Sequence, residues 1–477
     1  MKKISMIGPP LLLLSLLAAC DKQLDLTPED TLVDSQVFGS ELATEQALAD
    51  AYINLFRAVT GNIAYVIGDF TTENLQHSVF YDVYEDGSVV TADDGVQSVW
   101  QNYYRAINLA NNIIVKTQQY AQYAAAKQAQ FIAEARLIRA YAYLDLLKLF
   151  GDGALMDRPD GLGVPLQLMP FEGYDTGDII PRSTNAQVYA QIIADLTEPM
   201  ADLPDRHSND LHTRSRATKG SAAALRARTW LYMHRFEDAA AAAAEVLQSR
   251  PAIYQLATNL LDLFPPNSDG QAKTLVPEYL FAFPVSHITS PSTSLNNNLS
   301  NGYFFKRSFW ISPAFISMFG SGDLRAQQLI FKGDSIYNPD QFGERTTFKF
   351  NNSNGRDNVS VIRLAEVILT RAEALARTKG VTGEAVSLLN QVRSRSMKDA
   401  GTYSVDDFEN PTALLAVILE ERRKELAFEG FYRYDRIRNG QFPRDNGLPE
   451  GKWVLPIPQR EIDISNGVIV QNPGYLN

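Results

Sequence analysis

The residue best placed for a single covalent reaction is Cys20, the only cysteine among 477 residues. It follows Leu17-Ala18-Ala19, and ahead of these stand Lys2, Lys3 and an apolar run, Leu11 to Ala19, broken only by Ser15. A positive start, a short apolar stretch and small residues before a cleavage point are the parts of a secretory signal. The run is shorter than the roughly 20 apolar residues that a bilayer crossing needs. A cysteine straight after the small residues looks like a lipobox, in which the thiol takes fatty acyl chains such as palmitate and becomes the first mature residue. Each buried lipid methylene contributes about 0.8 kcal/mol, so several chains make a permanent anchor. Once Cys20 is acylated no thiol remains, and the exported body is built without disulfides.

Little else in the chain points to catalysis. The histidines (His77, His207, His212, His234 and His287) lack zinc-like spacing. The acidic stretch Asp82, Glu85, Asp86, Asp93 and Asp94 does not follow the spacing of an EF-hand. There is no P-loop, nucleophile elbow or dinucleotide fingerprint. A glycoside hydrolase needs two carboxylates across a sugar bond; the 55 acidic residues offer many pairs, none marked by its context. The expectation is therefore no metal, no cofactor and no catalytic residue. A formal charge of -11 also argues against nucleic acid, which wants a basic face.

The positioning elements are helical. Glu41 to Val59 places Leu42, Leu48, Tyr52, Leu55 and Phe56 on one face at a spacing near 3.6. Ser98 to Gln118 and Gln128 to Phe150 read as a helical hairpin, with small Ala133, Ala135, Ala140 and Ala142 allowing close approach. Ser183 to Met200 follows, with Ser183 or Thr184 as N-cap. Alanine-rich Lys219 to His234 and Phe236 to Gln248 pair next. Val361 to Thr378, Gly383 to Ser396 and Pro411 to Glu429 complete the set.

Repeated helix pairs that stack through small residues suggest tetratricopeptide-like hairpins, here widely spaced. Between them lie irregular segments: 61–97, with Tyr65, Phe70, Phe80, Tyr81 and Tyr84, and 251–360, with the run Tyr303 to Trp310. Long loops without helices of their own are usually functional. The bottom-up expectation is a mainly α scaffold that displays two aromatic-rich insertions. Trp100, Trp230 and Trp453 read as packing residues. Glu420 to Glu425, and Arg363, Glu366, Arg371 and Glu373, read as a solvated helix face with interhelix pairs.

The order of short motifs resembles the SusD/RagB family of Bacteroidota. Leu24-Asp25 with Pro28-Glu29-Asp30 is similar to its opening. Ala133-Glu134-Ala135-Arg136 with Phe150-Gly151-Asp152, Pro181-Arg182-Ser183 and Ile362-Arg363-Leu364-Ala365-Glu366 follow in its order. Asn390-Gln391-Val392-Arg393, Glu421-Arg422-Arg423-Lys424-Glu425-Leu426 and Gln471-Asn472-Pro473-Gly474-Tyr475 continue the match. One departure is Tyr432, where the family usually has Arg. The family's ion pair to Asp435 is then expected from Arg433 or Arg436.

The resemblance implies a signal peptide over 1–19, a tether over 20–34 and one SusD-like domain over 35–477, with ligand-binding insertions at about 61–97 and 251–360. It implies a cell-surface, lipid-anchored protein of the outer membrane that captures a glycan for a SusC-like TonB-dependent transporter. The RagB branch implies peptides instead; a glycoside hydrolase on the same scaffold is the remaining reading. Sugar rings stack their C–H faces on aromatic planes while their hydroxyls need polar partners. The expected ligand-binding residues are Asp69, Asn74, Tyr81 and Tyr84 in the first insertion and Tyr303, Arg307, Phe309 and Trp310 in the second.

Overall fold

The computed structural model describes residues 33–61, 63–173, 179–265, 274–285, 299, 303, 308–332, 345–350, 357–397 and 401–475. The signal, Cys20, nearly all of the tether and Arg307 lie outside these residues. The expected helices form, with shifted ends. Helix Asp94–Tyr120 begins four residues before Ser98, because the Asp93 side chain caps it by accepting the Val96 N–H at 2.9 Å. Thr184 caps Asn185–Thr197 in a capping box with Gln187.

Three hairpins build the scaffold: Asp94–Tyr120 with Ala125–Phe150, Lys219–Tyr232 with Phe236–Ser249, and Leu364–Lys379 with Gly383–Ser396. Glu41–Thr60 lies against the first, and Phe236–Ser249 also packs on Leu364–Lys379. Fully buried alanines (Ala133, Ala135, Ala140, Ala142, Ala239 and Ala243) let the backbones approach. Larger side chains such as Phe131 and Leu146 fill the remaining space, and each contributes roughly 2–3 kcal/mol by leaving water.

Several expectations need correction. Leu42 does not join the buried face of Glu41–Thr60; it is 67% exposed. Position 42 lies in the first turn, before the helix reaches the core. Val361 belongs to a strand, Val359–Arg363, that pairs antiparallel with Tyr279–Phe283; the helix starts at Leu364. Glu425, not Glu429, ends Pro411–Glu425, and a short helix Tyr432–Arg438 follows.

The charged residues expected on a solvated face are mostly interior. Arg363, Glu366, Glu373, Glu421, Arg422 and Glu425 are all buried. Arg363 meets Glu278, Glu425 and Glu429 at 2.9, 2.6 and 2.8 Å. Arg395 bridges Glu278 and Glu425. Arg325 reaches Asp323 and Glu421 at 2.8 and 2.7 Å, and Lys349 reaches Glu429 at 2.6 Å. A charge enters a low-dielectric core only when it is matched, and here insertion residues (Glu278, Asp323, Arg325 and Lys349) are matched by scaffold residues. The lattice fixes the second insertion to the helices. Asp435 is paired by Arg422 and Arg438 at 2.8 and 2.9 Å. Neither Arg433 nor Arg436 remakes that pair. Arg433 instead donates to Thr71 and to the Trp453 carbonyl.

Candidate functional site: an exposed aromatic ridge

The two insertions meet in one antiparallel sheet. Its strands run in the order Leu75–His77, Phe309–Ile311, Arg345–Thr347 and Ile330–Lys332. In the first pair Leu75 faces Ile311, Gln76 faces Trp310 and His77 faces Phe309. Side chains alternate along a strand. Leu75, Phe309 and Ile311 therefore turn inward and are buried, while exposed Gln76 and half-buried Trp310 share the outer face. The Trp310 indole N–H donates to Gln76 Oε1 at 2.8 Å, which fixes the ring's orientation.

The chain then turns at Val79–Tyr81, held to the neighbouring strand by the Ser78 N–H donating to the Ser308 carbonyl at 2.9 Å. This turn carries Val79, 75% exposed, and Phe80, 83% exposed. Tyr81 is half-buried, its ring 4.7 Å from Phe309 and 5.1 Å from Phe70. Burial pushes its phenol up. Gln76 and Trp310 thus share the outer face of the paired strands, and the turn that follows Leu75–His77 exposes Val79 and Phe80.

The residues beneath hold that surface. Phe70 stacks on Phe309 with centroids 5.3 Å apart and planes 11° apart. Tyr303 lies 5.6 Å from Phe309 and 5.5 Å from Phe350. His77 puts its edge against Phe70, and its Nε2 lies 2.6 Å from Glu85. Burial would raise the Glu85 carboxyl, but the His77 hydrogen bond and Arg444 outweigh it and hold it below the usual range. Arg444 stands 2.8 Å from Glu85.

Asp69 and Asn74, expected at the ligand, are fully buried. Asp69 accepts the Phe428 N–H at 3.1 Å, the Gly430 N–H at 2.8 Å and the Asn74 amide at 3.0 Å. The Asn74 oxygen accepts from Arg423 at 2.8 Å. Burial pushes the Asp69 carboxyl up, against these donors. Together they clamp the turn after Pro411–Glu425, where Phe428 and Gly430 have φ of 67° and 79°. A Cβ on Gly430 would lie 2.7 Å from the Tyr65 carbonyl oxygen, so only glycine fits without a shift.

Tyr84, Tyr303 and Phe309 are likewise interior. Tyr84 donates to Asp93, the helix cap, at 2.7 Å, and both burial and that carboxylate push its phenol well up. Of the expected contacts, Tyr81 and Trp310 reach the surface, five are buried struts, and Arg307 is outside the described residues. Phe80 and Gln76, both exposed, are not among the contacts expected from the sequence. For Phe80 the sequence carries a signal: Val79-Phe80-Tyr81 is an apolar run inside a polar segment, and a turn cannot bury all three.

Among the described residues no group of three His, Cys, Asp or Glu side chains gathers to hold a metal, and no described helix is long and apolar enough to cross a membrane. Trp100 and Trp453 are buried, as expected of packing residues; Trp230 is half-buried and lines a groove of about 540 Å³.

The family model described as "Starch-binding associating with outer membrane" matches residues 23–231, and the SusD family model matches 341–453. SusD-like protein P38 of Formosa agariphila is 25% identical, covering 99% of this chain and 99% of its own. SusD-like protein P2 of the same organism is 27% identical over 80% of this chain and 81% of its own. A SusD superfamily protein from Bacteroides thetaiotaomicron superposes with a TM-score of 0.76 at 25% identity, covering 90% of this chain and 99% of its own. A SusD-like carbohydrate binding protein from Bacteroides vulgatus shares the fold, with a TM-score of 0.70, 22% identity and 84% of each chain covered. With this fold, these relatives and these matches at both ends, the chain belongs to the SusD/RagB family.

Proposed function

We propose that the protein is a cell-surface lipoprotein that captures oligosaccharide or polysaccharide and delivers it to a SusC-like TonB-dependent transporter in the outer membrane. Cys20 carries the lipid, the segment to residue 34 is the tether, and residues 35–477 act as one domain. The role is binding, not catalysis. One observation carries the reading: two insertions more than 200 residues apart pair so that half-buried Trp310 stands beside Gln76 on an outer face, over an aromatic base, with Phe80 exposed on the turn that follows. Solvent-exposed aromatic side chains beside an amide suit a sugar, which offers apolar C–H faces and hydroxyls together. The matched relatives include a protein named for carbohydrate binding, which supports the same ligand class.

A screen of the purified protein against neutral and acidic polysaccharides and against peptides tests the reading. Saturable glycan binding that weakens in Phe80→Ala and Trp310→Ala is expected. Binding of peptides and of no glycan would overturn it.

A further inference from the structure

A second cleft, of about 580 Å³, shares no lining residue with the ridge. It forms where the Asp94–Tyr120 helix, the loop after strand Leu162–Pro165 and the C-terminal segment around Arg460 converge. Trp100 and Tyr104 provide its aromatic wall, with centroids 4.9 Å apart. The Tyr104 hydroxyl is committed to the Pro165 carbonyl at 2.8 Å. Phe171 completes the wall and is 46% exposed.

The polar atoms left uncommitted are mainly donors. Asn108 spends its side-chain oxygen on the Phe171 N–H at 2.8 Å, which leaves its amide N–H groups. Arg105 is exposed, and no carboxylate among the described residues pairs with it. Arg460 makes a long ion pair with Glu461 at 3.8 Å, which leaves its guanidinium exposed with donors to spare. Burial pushes the Glu461 carboxyl up, against the opposing pull of Arg460 and the Trp100 indole. Two guanidinium groups therefore line an aromatic cleft in a chain of net charge -11.

We propose that this cleft is a second saccharide site, one that takes an acidic sugar. The sugar ring packs on Tyr104 and Phe171, and its carboxylate or sulfate ester meets Arg105 and Arg460. Guanidinium groups match planar or tetrahedral oxyanions with paired N–H donors. The saccharide class rests on the proposed function; the acidic group rests on this cleft alone.

The test is titration of the detergent-solubilised full-length protein with trigalacturonate, a sulfated galactan oligosaccharide and neutral maltotriose. The Arg105→Ala/Arg460→Ala variant should lose about tenfold or more in affinity for an acidic probe, as expected when two charge-assisted contacts go. Its melting temperature should hold, because both side chains are exposed. Affinity for the acidic probe should also fall as NaCl is raised, since exposed charges are screened. Which acidic probe binds separates carboxylate from sulfate. Equal acidic binding in the double variant would overturn the proposal, as would loss of that binding in Trp310→Ala alone. Neutral glycan binding through Trp310 with no acidic binding would overturn this inference and leave the ridge standing. Failure of every glycan would overturn both.

Discussion

Replacing Trp310 by alanine should separate ligand affinity from stability. Trp310 lies on the outer face of its strand, and its indole N–H donates to Gln76. A covered aromatic side chain buries 150–250 Å², so a sugar on one face of the indole removes roughly 80 Å² from water. At about 25 cal/mol per Å² that is about 2 kcal/mol, or roughly a 30-fold change in Kd. The fold should lose only about 1–2 kcal/mol, from one hydrogen bond and part of a half-buried ring. The adjacent residue supplies the contrast. Phe309 is 1% exposed and packs on Phe70, Tyr81 and Tyr303, so Phe309→Ala should cost about 3–5 kcal/mol of stability. Calorimetric titration and a thermal melt on both variants read the two quantities. Unchanged affinity in Trp310→Ala for a glycan that the wild type binds, or a melting loss equal to that of Phe309→Ala, would refute the assignment of faces.

Acid should unfold the protein through its buried carboxylates. Burial alone would raise Glu373, but Arg438 and then Arg377 hold it down to about 2. Its contribution is present above the unfolded carboxylate value near 4.5 and is lost as pH falls toward 2, on the order of 3 kcal/mol. Glu373→Gln should flatten the pH dependence of urea midpoints in that window, and an unchanged slope would count against it. Gly430→Ala should destabilise by about 1–3 kcal/mol, because an L-residue at φ 79° is strained and its Cβ meets the Tyr65 carbonyl; a neutral melt would contradict this. Cys20→Ala should leave glycan titrations intact and abolish membrane association in cell fractionation; persistence at the membrane would rule out the lipid anchor.

Much of the scaffold is legible in the sequence because helix periodicity is local. The Ala133 to Ala142 stripe and the 219–249 hairpin need no distant information, and the Gly383–Ser396 helix is read to the residue. The ridge is not local. Which of Phe309 and Trp310 faces water depends on pairing with residues 75–77, more than 200 positions away. Three-residue strands are too short to show alternation on their own. Asp69 and Asn74 look like ligand-binding groups, since polar residues in an irregular segment usually meet solvent. Their partners, Phe428, Gly430 and Arg423, come from the far end of the chain. The charge run after Glu420 misleads for the same reason: its counter-ions Arg325, Arg363 and Arg395 lie on other elements.

A crystal structure of the protein with the oligosaccharide it binds best tests the central claim most directly. The account predicts a sugar ring within van der Waals contact of Trp310 and Phe80, with a hydroxyl in hydrogen-bond reach of Gln76. A ligand bound elsewhere, with the ridge bare, would contradict it.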